Sequence, residues 1–259
     1  MSLDWCQWPP LGEPYAEALN QVVRFILERF PDTLGIIASG TILRGTPSAS
    51  SDLDVYVIRR RAQRQRLQYR FNGVPAEIFA NPPALVYAYM EQETAAARPI
   101  TAHMLATGFT ILDLDPVVSR LQERAREVLA AGPSLSPQQL TTARYMAAAQ
   151  FEDATDIADA RRETARMILN LAVHAMLRYR FLKAGRFLPR DKDLLTALDE
   201  LDPELASAAR SFYGGAGPGE IWDLGQRIAD LTIGTRGFFE WESEPEDLTV
   251  EPGPSKDTD

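Results

Sequence analysis

Apolar residues recur at every fourth position from Ala18 through Val22 and Ile26 to Phe30. That spacing keeps one helix face apolar, so a helix is expected over 13–30, stopped by Pro31-Asp32. The period then shortens. Leu34 to Ala38 is a short apolar run with strand character. From Leu53 to Ile58, Val55 and Val57 alternate with Asp54 and Tyr56, which predicts a second strand carrying a carboxylate on one face. Two further strand-like runs, 66–71 and 74–80, flank Asn72-Gly73, a strong hairpin signal. Pro75 then falls near a strand start, where its missing N–H costs little.

After Pro82-Pro83 the pattern turns mostly helical. Helices are expected over 84–93, 101–107 and 116–131, with a last strand over 109–112. From Ser136 onward the periodicity predicts only helices, over 137–159, 161–184, 191–199, 202–213 and 217–242. Ser136-Pro137 is a good start, Ser at the N-cap and Pro at the first helical position. The predicted fold class is α+β. A small mixed sheet with flanking helices fills 1–116, and a C-terminal helical bundle fills 117–242. Residues 243–259 are acidic, contain Pro and almost lack large apolar residues, so that tail is expected to be disordered. Between two domains of this kind lies the default place for a ligand.

Composition narrows the partners. No stretch approaches the roughly 20 apolar residues of a membrane span. The opening MSLDWCQWPP has no basic head before an apolar run, so no secretory signal is expected. Cys6 is the single cysteine, which rules out an intrachain disulfide or a Cys-rich zinc site. Both observations suit a cytoplasmic protein. The net charge is -9, of which -5 falls in 243–259, leaving a body of -4. A mildly acidic body argues against a nucleic-acid partner and suits a cationic one. The basic run from Arg59 to Arg66 is too local for a nucleic-acid groove, though it can meet phosphates. Oligomeric state is not encoded in any pattern here.

The candidate chemistry lies between two strands. Ile37-Ala38-Ser39-Gly40-Thr41 runs from a strand into a small-residue turn, expected to open a helix, with Arg44-Gly45 just beyond. Backbone N–H groups at a helix start bind phosphate, and glycine lets the backbone approach a ligand. Ten residues separate Thr41 from Asp52, and Asp52-Leu53-Asp54 then enters a strand. Alternation puts both carboxylates on one face. Such a pair can hold Mg²⁺, which prefers oxygen and shares its ligands with substrate phosphates. Two ions about 3.5–4 Å apart clamp the attacking and leaving oxygens of an in-line displacement.

This passage resembles the nucleotidyltransferase superfamily typified by DNA polymerase β. Its signature is a hydrophobic residue, Gly-Ser or Gly-Gly, a spacer, then alternating acidic and hydrophobic residues. Here Gly40-Thr41 replaces Gly-Ser and keeps the hydroxyl. Arg44-Gly45 and Ser51 match the form common in members that modify small molecules. The resemblance implies that Ser39, Gly40, Thr41, Arg44 and Ser51 meet the nucleotide. It also implies a third carboxylate on a later strand, and Glu77, flanked by apolar residues, fits that place. A metal neighbour explains an acid there, because burying an unpaired charge is costly. Asp52, Asp54 and Glu77 are thus the expected metal ligands and catalytic carboxylates.

The helical half resembles the C-terminal bundle of kanamycin and streptomycin nucleotidyltransferases. There a lysine near a Gly-x-x-x-Pro-basic segment meets the phosphates, which implies Lys192, with Arg190 second. Glu152, Asp156 and Asp159 share a helical face at i, i+4 and i+7. Aminoglycoside-modifying relatives use a helical-domain glutamate as base, which implies Glu152. The activity implied is Mg²⁺-dependent transfer of a nucleoside monophosphate, AMP from ATP or another nucleotide, to a hydroxyl of a small, antibiotic-like acceptor. Two other readings share the fold: modification of a protein or tRNA, and nucleotide binding without catalysis.

Overall fold

The computed structural model describes residues 3–215, 217 and 219–245, so the tail expected to be disordered lies mostly outside the described residues. The chain divides into two compact units. The first runs to Ser134 and takes in Gly185–Pro189; the second begins at Leu135 and resumes at Arg190.

The first unit is a five-stranded mixed sheet. Its strands are β1 (Thr33–Ser39), β2 (Leu53–Arg59), β3 (Gln65–Phe71), β4 (Val74–Asn81) and β5 (Phe109–Asp113), in the order β3-β4-β2-β1-β5. Only β2 and β4 run parallel; the other neighbours are antiparallel. Helix α1 (Tyr15–Arg29) covers one face, where Val22, Ile26 and Phe30 share a buried cluster with Leu53, Val55 and Val57. On the other face, Ile37, Tyr56 and Ile58 are buried with residues of α2 (Pro83–Ala95), α3 (Ile100–Thr107) and α4 (Val117–Ala131). Covered on both faces, the central strands read as near-continuous apolar runs. The edge strand β3 stays polar on one face.

The hairpin forms as expected. Asn72 and Gly73 both adopt positive φ, 47° and 77°, the type I′ geometry that matches strand twist. Helix α4 belongs to the first unit, although the sequence pattern placed a boundary at 116. It packs on α3, β1 and β5. The contact is close because β1 offers Gly35 there: a Cβ on Gly35 would meet the Val118 methyl at 2.2 Å.

The second unit is helical: α5 (Pro137–Asp156), α6 (Arg162–Lys183), α7 (Leu194–Leu201), α8 (Pro203–Tyr213) and α9 (Glu220–Thr232). Ser136 and Gln139 form a capping box, with Ser136 Oγ accepting from Gln139 N at 3.1 Å and Gln139 Oε1 from Ser136 N at 2.8 Å. The helix expected over 191–199 begins instead as a 3-10 turn at Asp191–Asp193. A larger difference concerns 217–242, where α9 stops at Thr232. Gly234, at φ 65°, donates its N–H to Ala229 O at 2.9 Å and ends the helix in a left-handed cap. Beyond it the chain is non-helical and runs beside α5: Arg144 Nε donates to Ile233 O at 2.8 Å, and Tyr145 meets Trp241 with ring centres 5.3 Å apart. No described helix is long and apolar enough to cross a membrane.

Candidate active site

The site is built where β1 ends and β2 begins. Ser39, buried at the end of β1, pairs with Asp54 across the antiparallel ladder. Gly40 follows at φ 95°. A Cβ placed there would lie 2.7 Å from Asp54 Oδ2, so the carboxylate rests directly on glycine backbone. The helix expected after Gly40 does not form. Residues 41–46 close one turn, with Arg44 N donating to Gly40 O at 3.3 Å and Thr46 N to Thr41 O at 3.0 Å. Pro47 has no N–H with which to carry the pattern on. A single turn, not a helix dipole, therefore offers the backbone donors. Arg44 is exposed on it.

Hydroxyls tie the loop shut. Thr41 Oγ1 and Ser51 Oγ are 2.9 Å apart, and Ser51 Oγ accepts from Ser48 N at 2.8 Å. Asp52 follows at once, then Asp54 inside β2. In the parallel ladder Asp54 lies opposite Glu77 of β4, so both side chains share a face. Oxygens of Asp52, Asp54 and Glu77 all lie within 4.8 Å of one another, each residue half-buried. Among the described residues this is the one cluster of three or more metal-capable side chains. A single Mg²⁺ with bonds of about 2.1 Å spans oxygens up to about 4.2 Å apart. Two ions bridge more, so this all-oxygen set fits one or two divalent cations.

Sequence reasoning missed the residues that hold Glu77. Nε and Nη2 of Arg66 both meet Glu77 Oε1, and Gln68 Nε2 donates to the same oxygen at 3.3 Å. Both come from β3. The signal was present, because a two-residue hairpin at Asn72-Gly73 puts Gln68 opposite Glu77. Beside Asp52 and Glu77 a cavity of about 450 Å³ is walled by Gln68, Arg70 and Pro75.

Glu152 and Lys192 belong to the second unit. Glu152 lines a cavity of about 780 Å³ with Tyr145, Asp153, Asp156, Phe239 and Trp241. Asp159 lies past the end of α5 and is not part of its wall; Asp153 is, with Glu240 and Glu242 of the run beyond α9. Reading that run as helix concealed the second acidic wall. Lys192 is exposed on the 3-10 turn, while Arg190 is paired with Asp193 at 2.5 Å.

No protein-family model matches the chain, and no curated protein does. Among solved structures, it is similar to the crystal structure of a nucleotidyltransferase-like protein from Exiguobacterium sibiricum 255-15. The TM-score is 0.53, with 15% sequence identity over 83% of this chain and 74% of that one. At that identity the likeness is one of fold: the chain has a nucleotidyltransferase-like α+β fold carrying an acidic triad suited to a metal.

Proposed function

We propose that this protein is a Mg²⁺-dependent nucleotidyltransferase acting on a small hydroxyl acceptor, with ATP as donor. The convergence of Asp52, Asp54 and Glu77 carries the reading, because the fold likeness alone does not specify chemistry. These three residues would hold the metal. Bound there, Mg²⁺ would offset phosphate charge and favour in-line displacement. The Gly40–Thr46 turn, Thr41 and Ser51 would receive the phosphates, with Arg44 on the outer ones and Lys192 as a further contact. In the transfer, the acceptor oxygen bonds to the α-phosphorus and the α–β phosphoanhydride bond breaks. Pyrophosphate leaves, and the hydroxyl proton passes to a carboxylate.

The acceptor we propose is cationic and aminoglycoside-like. Glu152, Asp153 and Asp156 make no ion pair among the described residues and share a cavity with aromatic rings. Carboxylates beside rings favour an organic cation.

The test is calorimetry with ATP and Mg²⁺, followed by a pyrophosphate-release screen over small hydroxyl compounds, polycationic aminocyclitols included. Asp52→Asn and Asp54→Asn are expected to abolish release with unchanged circular dichroism. Wild-type turnover in either variant would sink the assignment. ATP binding without any release would favour a non-catalytic nucleotide-binding protein.

A further inference from the structure

We propose that Arg66 is a built-in counter-ion of the carboxylate triad, which a divalent metal displaces from Glu77 as it binds. The inference rests on the metal-site reading of the triad. Arg66 meets Glu77 through two nitrogens on one oxygen, and Gln68 donates to that oxygen as well. In the β3–β4 ladder Arg66 lies opposite Phe79, so it reaches Glu77 along the diagonal, and its guanidinium carbon lies 5.3 Å from the centre of the Phe79 ring.

Exposure decides which partner moves. The Glu77 side chain is 13% exposed and fixed inside β4, whereas that of Arg66 is 61% exposed. Arg66 also comes from an edge strand, with no sheet neighbour beyond it among the described residues to block a swing outward. Three clustered carboxylates repel one another, and one guanidinium relieves part of that repulsion. A divalent cation relieves more of it and, within a few ångströms, repels the guanidinium. Metal entry and Arg66 release are therefore one linked event. Once released, the guanidinium stands near the cavity walled by Gln68 and Arg70, where a polyphosphate is its natural partner. Linkage then makes metal and polyphosphate each favour the other.

The test measures Mn²⁺ binding to the full chain by electron paramagnetic resonance, with and without a non-hydrolysable ATP analogue. Wild type, Arg66→Gln, Arg66→Lys and Asp54→Asn are compared. Without nucleotide, Arg66→Gln is expected to bind Mn²⁺ about tenfold more tightly than wild type, through removal of one repelling charge. Arg66→Lys, which keeps the charge, stays near wild type. The analogue should tighten Mn²⁺ binding more in wild type than in Arg66→Gln. Unchanged affinity in Arg66→Gln would overturn the proposal, and so would weaker binding, which would make Arg66 a residue that positions Glu77 for the metal. If wild type and Arg66→Gln both bind Mn²⁺ no better than Asp54→Asn, the metal reading falls too. If wild type exceeds Asp54→Asn but equals Arg66→Gln, only the counter-ion role fails.

Discussion

At Gly40 a methyl group would lie 2.7 Å from Asp54 Oδ2, on a backbone already at φ 95°. Gly40→Ala therefore combines left-handed strain of about 1–2 kcal/mol with displacement of a proposed metal ligand. The expected outcome is a lower melting temperature together with Mn²⁺ affinity reduced about tenfold, a typical scale for a misplaced metal ligand shell. A variant that melts lower yet binds Mn²⁺ as wild type does would show that the close approach serves the fold alone. Single residues of this kind were readable from the sequence when a period fixed them. Strand alternation put Asp52 and Asp54 on one face, and an acid between Ala76 and Ile78 called for a partner. Arg66 was not read, because its role depends on which residue faces it across a ladder. That is a property of register, set by the turn and not by the residue itself.

Elements were legible where apolar periodicity ran long, as in α1 and α6. They failed where termination rested on one glycine or on a long-range contact. The apolar residues past Gly234 include Phe239 and Trp241, which pack on Arg144 and Tyr145 of α5. Nothing local tells such a run from a helix face. A different long-range contact starts α3. Its N-cap, Pro99, supplies no side-chain acceptor, so Glu93 of α2 does: Thr101 N donates to Oε2 at 2.6 Å and Thr101 Oγ1 to Oε1 at 2.9 Å. Burial nevertheless raises the Glu93 pKa, outweighing those hydrogen bonds. An acid with a raised folded-state pKa contributes stability that is present below its unfolded value of 4.5 and is lost as pH rises through the folded one. The contribution of Glu93 to the stability of the first unit should therefore shrink as pH rises above 4.5, and Glu93→Gln should remove that part of the profile. Urea melts at several pH values would show it. Parallel profiles for the two proteins would mean that Glu93 titrates alike folded and unfolded.

At the scale of the whole molecule, the sequence pattern showed two kinds of chain, mixed then helical, but placed the change too early. Helix α4 looked like the first member of the bundle because its period matches the helices that follow. Its partners are the sheet and α3. Likewise Gly185–Pro189 returns to the first unit, where Leu188 N donates to Ala97 O at 2.8 Å, a contact no local signal announces.

This division bears on which carboxylate takes the acceptor's proton, since the two candidates belong to different units. A base must come within about 2.6–3.2 Å of that proton, or act through one water. Glu77 stands beside Asp54 on the strand pair that builds the metal-capable cluster, and Arg66 and Gln68 both meet one of its carboxylate oxygens. Glu152 lies among other acids and aromatic rings in the helical unit, a setting suited to holding an organic cation. We propose Glu77 as the base and Glu152 as an acceptor-binding residue. With an acceptor found by the pyrophosphate screen, Glu77→Gln is expected to lower kcat by about 10²-fold or more, the usual scale of general-base loss. Glu152→Gln is expected to raise the acceptor KM and leave kcat largely intact, as the loss of uniform binding does. Steady-state kinetics of the two variants decide between them. If Glu152→Gln removes kcat while Glu77→Gln keeps most of it, Glu152 and not Glu77 takes the proton.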